Sequence, residues 1–363
     1  MSKDMKFSKS DELDVKIGEE VLKLLAIRVE DAVGTILCHD LTKIVPGEKK
    51  GPAFKKGQVI TEKDIPELLN MGKSHIYVWE AKKGQVHEDD AAIRLSLALG
   101  GFGIRFTEPK EGKVNLIADF DGMCMINEDL LVQVNMIEDM VVATQSNRRP
   151  VKKGDIVAGI RVVPLRIHEN RLQTVEHLNK VQGTISVKPF HSLNVGIITT
   201  GNEVYHGRIE DKFGPVVKKK IEAYGCKVFK QIIVPDDVEQ ISKAIHSLKA
   251  EGAELILTTG GMSVDADDVT PRSIRQAGAE IITYGAPVLP GAMLMVAYLG
   301  DVTILGLPGC VMYHKTTIFD LMIPSVLADE RINKAMVAKL GLGGLCLNCK
   351  VCSYPVCTFG TGA

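Results

Sequence analysis

The sequence predicts a doubly wound α/β fold with a mostly parallel sheet over residues 190–330, preceded by a mixed, β-rich N-terminal part. From Asn194 onward, apolar strand-like runs alternate with helical segments, which is the pattern of a parallel sheet covered by helices on both faces. Four of these runs end in a glycine- or aspartate-rich turn. Before Asn194, short β-like runs bounded by turn residues dominate.

Composition and periodicity divide the chain into five regions. We expect a mobile polar tail at 1–20, a mixed segment at 21–84, a β-rich middle domain at 85–189, the α/β domain at 190–330 and a cysteine-rich tail at 331–363. In the first half, the pattern predicts strands at Leu24–Arg28 and Ile156–Ile160 and helices at Thr61–Met71 and His87–Leu99.

The α/β region has the most regular pattern. Strands are predicted at Val195–Thr199, Val228–Val234, Glu254–Thr258 and Glu280–Thr283, with a hairpin at Met293–Leu299 and Val302–Leu305. Helices are predicted near Gly214–Tyr224, at Asp236–Ala250 and from Thr270, with Thr270 as N-cap and Pro271 at the first helical position.

Composition narrows the class of protein. The 363 residues carry a net charge of -1 and are 45% hydrophobic and 25% charged, as in an ordinary soluble globular protein. This balance argues against a non-specific nucleic-acid binder. The polar start has no signal-peptide pattern, and the apolar run Ala286–Leu299 is too short to cross a bilayer. We therefore expect a cytoplasmic protein with no nucleic-acid or membrane partner.

The run Leu255–Pro271 carries the most informative chemistry. An apolar strand ends at Gly260-Gly261, and Asp265, Asp267 and Asp268 follow. A glycine turn between a strand and a helix suits a phosphate group, whereas carboxylates beside phosphate require a hard cation such as Mg²⁺. The run therefore predicts a metal–phosphate site at the carboxyl end of a strand, with Asp265 and Asp268 as metal ligands.

Three other turns are expected at the same edge of the sheet. Thr200–Glu203 leaves Glu203 at a strand end, where a solvated carboxylate is the alternative to a functional one. In the pair Asp236-Asp237, one aspartate is expected to cap a helix and the other is available for function. Asp211 is either an N-cap or a ligand-facing carboxylate. Gly306–Gly309 offers backbone N–H groups to an anion.

Taken together and in order, these motifs resemble the molybdenum cofactor biosynthesis domain, which molybdopterin adenylyltransferases and molybdopterin molybdotransferases share. The segments that carry the resemblance are Thr200–Glu203, Asp236-Asp237, Thr258–Val264, Asp268–Pro271 and Gly306–Gly309. Leu25–Trp79 looks more loosely like the start of the molybdotransferases. The resemblance implies a domain that binds a pterin dithiolene and its phosphate or adenylate end, in a homo-oligomer such as a dimer or trimer.

The resemblance also implies roles for individual residues. It makes Asp268, Glu203 and Asp237 catalytic. It places the pterin cofactor against the turns formed by Thr200, Gly201, Asn202, Thr259, Gly260, Gly261, Met262, Ser263, Gly306, Pro308 and Gly309. In the molybdotransferases, Mg²⁺ and molybdate meet an adenylated molybdopterin, the adenylate is cleaved, and molybdenum enters the dithiolene.

Departures from the family pattern favour a second hypothesis. Asp265 stands where the family has glycine, Asp267 where the adenylyltransferases have arginine, and Cys310 where the family has asparagine or serine. The Met-Asp-Gly-Tyr-Ala segment of the molybdotransferases is not found in its usual place. The alternative function is a non-catalytic carrier or chaperone that delivers the cofactor to a client molybdoenzyme. A generic sugar-nucleotide or phosphate-binding protein is a third hypothesis.

The tail carries Cys346, Cys349, Cys352 and Cys357 within twelve residues. Four thiolates at such short spacing are typical of a metal site, here Zn²⁺ or an iron–sulfur cluster. A flexible thiol-rich tail that relays a soft metal, or cysteines without a function, are the alternatives. The remaining cysteines are scattered along the chain and are expected to be buried thiols.

Overall fold

A computed structural model describes residues 12–17, 20–43, 51–77, 84–180, 183–263 and 268–361. The elements of the N-terminal segment are β1 (Glu12–Ile17), β2 (Glu20–Arg28), β3 (Leu41–Lys43), β4 (Gly51–Phe54), α1 (Ile65–Asn70) and β5 (His75–Tyr77). Those that follow are β6 (Gln85–His87), α2 (Glu88–Leu99), β7 (Ile104–Phe106), β8 (Lys113–Ala118), β9 (Gly122–Ile126), α3 (Glu128–Asn135), β10 (Met140–Thr144), β11 (Arg149–Val151), β12 (Ile156–Val162), β13 (Arg166–His168), α4 (Glu169–Leu178) and β14 (Ile185–Pro189).

Residues 12–17, expected in a mobile polar tail, instead form a strand. β1 pairs antiparallel with β2, and β2 pairs with β5. The sequence contains the signal for this strand, because Leu13, Val15 and Ile17 alternate with charged residues. In the middle part of the chain, two small antiparallel sheets have the strand orders β10-β12-β8-β7 and β11-β9-β14. The predicted β-rich character of this part is confirmed.

The α/β domain is built on a six-stranded sheet. Its elements are β15 (Asn194–Thr200), α5 (Asn202–Tyr205), α6 (Phe213–Glu222), β16 (Lys227–Val234), α7 (Val238–Ala250), β17 (Leu255–Thr259), α8 (Thr270–Gln276), β18 (Glu280–Tyr284), β19 (Met295–Leu299), β20 (Val302–Leu307) and α9 (Ile318–Leu327), followed by α10 (Lys334–Lys339). The strand order is β16-β15-β17-β20-β19-β18, in which the first four strands run parallel to one another, β19 is antiparallel to β20, and β18 is antiparallel to β19. The predicted doubly wound fold is confirmed.

Alternating apolar residues bury both faces of this sheet. In β17, Leu255 and Leu257 belong to the core under α6 and α9, whereas Ile256 belongs to the core under α7 and α8. Such near-continuous apolar strands are typical of a parallel sheet covered on both sides. The four parallel strands therefore leave only their ends free to carry polar chemistry, and their carboxyl ends meet at one edge.

The start of α8 differs from the prediction. Val269 occupies the N-cap, so Thr270 is the first helical residue and Pro271 the second. The Thr270 hydroxyl does not cap the helix. It donates instead to the Gly260 carbonyl oxygen at 2.9 Å, which ties the glycine turn to the helix.

Candidate functional site

The carboxyl ends of β15, β16 and β17 meet, as the sequence predicts, and they form the acidic part of the edge. The backbone N–H of Asn202, after β15, donates to Asp236 Oδ2, after β16, at 2.9 Å. A Cβ atom on Gly261, after β17, would lie 3.2 Å from Thr200 Oγ1 and 3.6 Å from Asp236 Oδ1. Three of the predicted turns are therefore in contact.

The aspartate pair divides its roles differently from the predicted assignment. Asp237 Oδ1 accepts from the Gln240 backbone N–H at 2.9 Å, so Asp237 is the N-cap of α7. Asp236 is the residue that faces Asn202 and the glycine turn. The extended backbone at the N-cap turns the Asp237 side chain onto its own helix, so Asp236 is the member of the pair that lies at the edge, and the catalytic role that the resemblance implied for Asp237 stays a prediction.

Two other carboxylates at this edge influence Asp236. Burial raises the pKa of Asp236, and the negative charges of Glu203 and Asp268 raise it further, against hydrogen bonds from Asn202 and Thr200 that lower it. Burial also raises the pKa of Tyr284, and the negative charge of Asp268 raises it further. The charges of Glu203 and Asp268 therefore act on Asp236, and the single acidic site stays a prediction.

The Gly260-Gly261 turn is held in place on both sides. Both glycines have positive φ, at +89° and +55°, and a Cβ atom on Gly261 would lie 2.7 Å from Thr270 Oγ1. Behind the turn, the Tyr284 hydroxyl is 3.0 Å from the Met262 carbonyl oxygen and 3.1 Å from that of Ser263. Only glycine fits this conformation without strain, which gives the predicted glycines a physical reason.

A cavity of about 490 Å³, here called the strand-end cavity, opens beside this turn. Seven of its lining residues were predicted, namely Gly260, Gly261, Met262, Ser263, Asp268, Pro308 and Gly309; the others are Leu289, Pro290, Gly291, Ala292, Met293, Leu307 and Cys310. The segment Leu289–Met293 was not predicted to contribute. Its only signal in the sequence is the Pro290-Gly291 turn before an apolar strand, a pattern common in ordinary loops.

Several predicted cofactor contacts lie inside the sheet instead, among them Thr259 and Gly306. Thr259 is fully buried, with its hydroxyl 3.3 Å from Thr199 Oγ1. Gly306 lies within β20, where its lack of a side chain makes room for Met262, because a Cβ atom would lie 2.6 Å from Met262 Cε. Both residues support the edge from beneath, and neither lines the strand-end cavity.

Asp211 is a structural residue. Its carboxylate accepts from the backbone N–H groups of Phe213 and Gly214 at 2.9 and 3.0 Å, and from Gln231 Nε2 at 2.6 Å. Lys212 occupies the N-cap position of α6, and Asp211, one residue earlier, accepts from the first two N–H groups of the helix. The predicted metal ligand Asp265 lies outside the described residues, as does Asp267.

The cysteine-rich tail lines a second cavity, of about 270 Å³, here called the cysteine cavity. Cys346, Cys349, Cys352 and Cys357 all border it, together with His314. Across the part of the chain that the structure describes, no three His, Cys, Asp or Glu side chains are grouped so that they could hold a metal ion. The zinc or iron–sulfur assignment therefore stays a prediction.

The thiols differ in their surroundings. Cys38, Cys124 and Cys226 are buried as predicted, and burial raises the pKa of Cys124 to about 12. Cys310 is only partly buried. Cys352 is exposed, and hydrogen bonds from Thr316 and the backbone of Tyr354, with the charge of Lys315, lower the pKa of its thiol.

Comparison with known proteins agrees with this architecture. Residues 196–328 match a family described as a probable molybdopterin binding domain. The α/β domain is the part of the chain that is similar to the molybdenum cofactor biosynthesis family. The resemblance found in the sequence motifs is therefore confirmed. Residues 26–80 match a domain of unknown function (DUF8806).

Two curated relatives are named molybdopterin molybdenumtransferase. The protein from Synechococcus elongatus is 31% identical over 113 residues, which are 29% of this chain and 28% of the relative. The protein from Haemophilus influenzae is 27% identical over 185 residues, which are 48% of this chain and 43% of the relative. The chain thus spans less than half the length of each of these relatives.

Among solved structures, the molybdopterin biosynthesis enzyme MoaB from Thermus thermophilus is 21% identical, with a TM-score of 0.30, and the match covers 37% of this chain and 89% of that protein. None of the helices among the described residues combines the length and the hydrophobicity needed to cross a membrane.

Proposed function

We propose that this chain acts in molybdenum cofactor biosynthesis by binding molybdopterin, as its phosphate or adenylate, at the carboxyl edge of the α/β sheet. We further propose that it inserts molybdenum into the pterin dithiolene, with molybdate as the metal substrate. The observation that carries this proposal is the contact between Asn202, Asp236 and Gly261, from three strand ends, beside the strand-end cavity that Asp268 lines. The names of the two transferase relatives support the choice of substrate.

The strand-end cavity suits the ring system of the pterin. Its volume of about 490 Å³ lies within the range of roughly 300–1,000 Å³ that small-molecule sites occupy. Met262, Leu289 and Pro308 supply apolar surface for a flat heterocycle, and the glycine turn lets the ligand approach the backbone. The ring packs in this cavity, and the phosphate or adenylate end extends toward Asp268 and Asp236.

The carboxylates at the edge fit Mg²⁺. In phosphate sites, Mg²⁺ is held by one or two carboxylates together with phosphate oxygens and water, so a cage of three protein ligands is not needed. The negative charges of Glu203 and Asp268 disfavour a charged Asp236, and a bound cation would reduce this repulsion. Asp268 and Asp236 would hold the ion, which when bound polarises the phosphoryl group.

One observation favours the carrier hypothesis. Among the described residues that line the strand-end cavity, there is no lysine or arginine, and Asp268 is the only charged side chain. Phosphoryl transfer generally uses a cation to stabilise the charge that develops on the phosphoryl oxygens. If no metal binds at the edge, the chain holds the pterin without cleaving it and transfers it to a client molybdoenzyme.

The test is an AMP-release assay with purified protein, adenylated molybdopterin, molybdate and Mg²⁺. Release of AMP that depends on all of these components supports the transferase. Tight pterin binding with no AMP release supports the carrier. Neither binding nor release contradicts both hypotheses. Light scattering on the same sample tests the proposed homo-oligomer, and cofactor transfer to an apo-molybdoenzyme tests the proposed client.

A further inference from the structure

The N-terminal segment contacts the middle part of the chain at the start of α2. His87 Nε2 lies 2.7 Å from the Cys38 carbonyl oxygen. Lys56 Nζ lies 2.7 Å from His87 Nδ1 and 3.2 Å from Asp89 Oδ2. These contacts join residues that are 31 to 49 positions apart in the sequence, so they hold two separate parts of the chain together. We call this region the junction.

The turn between β7 and β8 completes the junction. The Gly112 backbone N–H donates to Asp89 Oδ1 at 3.0 Å, which ties the turn to α2. The Thr42 hydroxyl of β3 donates to Glu111 Oε1 at 2.9 Å, which ties the turn to the N-terminal segment. A change that separates α2 from this turn therefore weakens the attachment of the N-terminal segment.

Glu88, the first residue of α2, is buried within the junction. Only 6% of the residue is exposed, and its backbone N–H donates to the Leu165 carbonyl oxygen at 2.9 Å. Its carboxyl group packs against the turn, because a Cβ atom on Gly112 would lie 2.7 Å from Glu88 Oε2. Within the described part of the chain, the structure gives this carboxyl group no hydrogen bond and no ion pair. A buried carboxylate without a partner is unfavourable, so the neutral form is preferred.

Charges of both signs act on Glu88, and burial outweighs them. Burial raises the pKa of Glu88, and the negative charges of Asp89 and Glu111 raise it further. The positive charges of Arg161, on β12, and Lys56, in the N-terminal segment, lower it. The result is a pKa of about 7 for a group whose ordinary value is 4.5. Glu88 therefore changes its charge near neutral pH.

We propose that the junction is a pH-sensitive latch, which is closed while Glu88 is protonated and loosened when Glu88 ionises. An ionised Glu88 lacks a hydrogen-bond donor among the described residues, and it gains water only if α2 and the β7–β8 turn move apart. That movement breaks the hydrogen bond between Gly112 and Asp89 and frees the turn on which Thr42 holds. The inference goes beyond the proposed cofactor chemistry and does not depend on it.

His87 acts on the latch with the opposite sign. Its Nδ1 accepts from the Asp89 backbone N–H at 3.2 Å, so a proton on that nitrogen would end this hydrogen bond. Burial lowers the pKa of His87, and the closure that neutral His87 supports is complete above pH 6.5 and is lost as the pH falls. The closure that Glu88 supports is complete below pH 4.5 and is lost as the pH rises through about 7. Cys38 stays a thiol in this range, because burial raises its pKa to about 11.

The test is hydrogen–deuterium exchange of the full-length protein between pH 5 and pH 8, with rates corrected for the intrinsic effect of pH. Peptides that contain Lys56, Glu88 or Gly112 report on the junction. Glu88→Gln keeps the shape of the side chain but cannot ionise, and comparing it with wild type at each pH removes the contribution of His87. We expect the ratio of protection, variant over wild type, to grow at least about tenfold between pH 5 and pH 7.5.

Asp90→Asn is the matched control, because Asp90 is an exposed carboxylate in the same turn of α2. This variant should follow wild type at every pH. A protection ratio for Glu88→Gln that stays constant with pH would overturn the proposal. An equal change in a peptide from β17 would also overturn it, because the effect would then be on the whole molecule. AMP release and pterin binding of Glu88→Gln report separately on the proposed function.

Discussion

The strand-end cavity and the cysteine cavity are neighbours along the backbone, yet their chemistry is opposite. Gly309 and Cys310 line the first, and Tyr313 and His314 line the second, so one short 3-10 turn separates them. Among its described lining residues, the strand-end cavity has a carboxylate and no lysine or arginine, whereas the cysteine cavity has thiols and lysines. Closeness in the chain does not set the chemistry of a site.

The titration of the two regions shows what this difference means. Burial and neighbouring carboxylates raise the pKa of Asp236, so the edge disfavours the negatively charged form of this side chain. Hydrogen bonds and a nearby lysine lower the pKa of Cys352, so the cysteine cavity stabilises a negative charge. The edge therefore needs an added cation to work on a phosphate, whereas at the cysteine cavity a lysine and hydrogen-bond donors already accompany the thiol.

The sharpest way to separate the two regions is Asp268→Ala. We expect AMP release to fall by about 100-fold or more, because the carboxylate next to the reacting phosphate is lost. The rate at which iodoacetamide labels Cys352 should not change. The circular dichroism spectrum of the variant serves as the control for folding. AMP release at the wild-type rate would contradict the assignment of Asp268.

Arg149→Ala should affect the cysteine cavity and leave the edge intact. Arg149 is buried, donates to two tail carbonyls and lies over the Tyr354 ring at 5.3 Å. Two of its nitrogens, Nε and Nη1, have no hydrogen-bond partner among the described residues. Burying them costs free energy and offsets part of the stabilisation from the hydrogen bonds to the tail carbonyls. We expect a loss of about 2 kcal/mol in the free energy of unfolding, measured with urea, and faster alkylation of Cys357.

The control for this change is Arg148→Ala, since the Arg148 side chain donates to Glu330 and, among the described residues, has no hydrogen bond to a tail carbonyl. If both variants expose Cys357 equally, then Arg149 does not hold the tail. If Arg149→Ala also removes pterin binding, then the two cavities are mechanically coupled, and their separation in this comparison is wrong.

Asp236→Asn and Asp237→Asn form a matched pair of isosteric changes one residue apart. We expect roughly tenfold slower AMP release for Asp236→Asn and no change for Asp237→Asn, because asparagine also serves as an N-cap. The pKa of Asp236 is higher in the folded protein than in the unfolded chain. The stability that the protonated Asp236 side chain contributes is therefore fully present below pH 3.8 and is lost as the pH rises through the pKa of the folded state. Asp236→Asn should therefore be slightly more heat-stable than wild type at pH 7.

Thermal melts of the two variants at pH 4 and pH 7 check this expectation. A melting temperature of Asp236→Asn that exceeds wild type at pH 7 but not at pH 4 supports repulsion between Asp236 and the neighbouring carboxylates. Equal losses of AMP release in both variants would mean that Asp236 and Asp237 both contribute to the site.

The smallest expected effect is at the cysteine cavity. Thr316→Val should move the pH midpoint of Cys352 alkylation upward toward the ordinary thiol value of 9.0, because the hydroxyl that lowers the Cys352 pKa is gone. The rate at pH 7 should fall about threefold. Iodoacetamide labelling with peptide mapping measures both, and Cys349 in the same digest provides the reference. An unchanged pH midpoint of Cys352 alkylation would show that the Thr316 hydroxyl does not lower the Cys352 pKa.

Much of the fold could be predicted because its signals are local. The alternation of apolar strands and one-sided helices, together with glycines at strand ends, placed the sheet of the α/β domain to within one or two residues at most boundaries. The strand β1 was missed although Leu13, Val15 and Ile17 alternate, because the surrounding residues are polar. The choice between Asp236 and Asp237 depended on backbone angles at the N-cap, which composition cannot specify.

The sequence by itself determined the α/β sheet, the family of its domain and the four strand-end turns, because parallel strands bring their carboxyl ends to one edge whatever else the chain does. Only the tertiary structure decided which aspartate faces that edge and that Leu289–Met293 completes its cavity. It also decided that the cysteine motif borders a cavity of accessible thiols. The physical reason is range: hydrophobic period and turn residues act locally, whereas these three features depend on contacts between segments far apart in the chain.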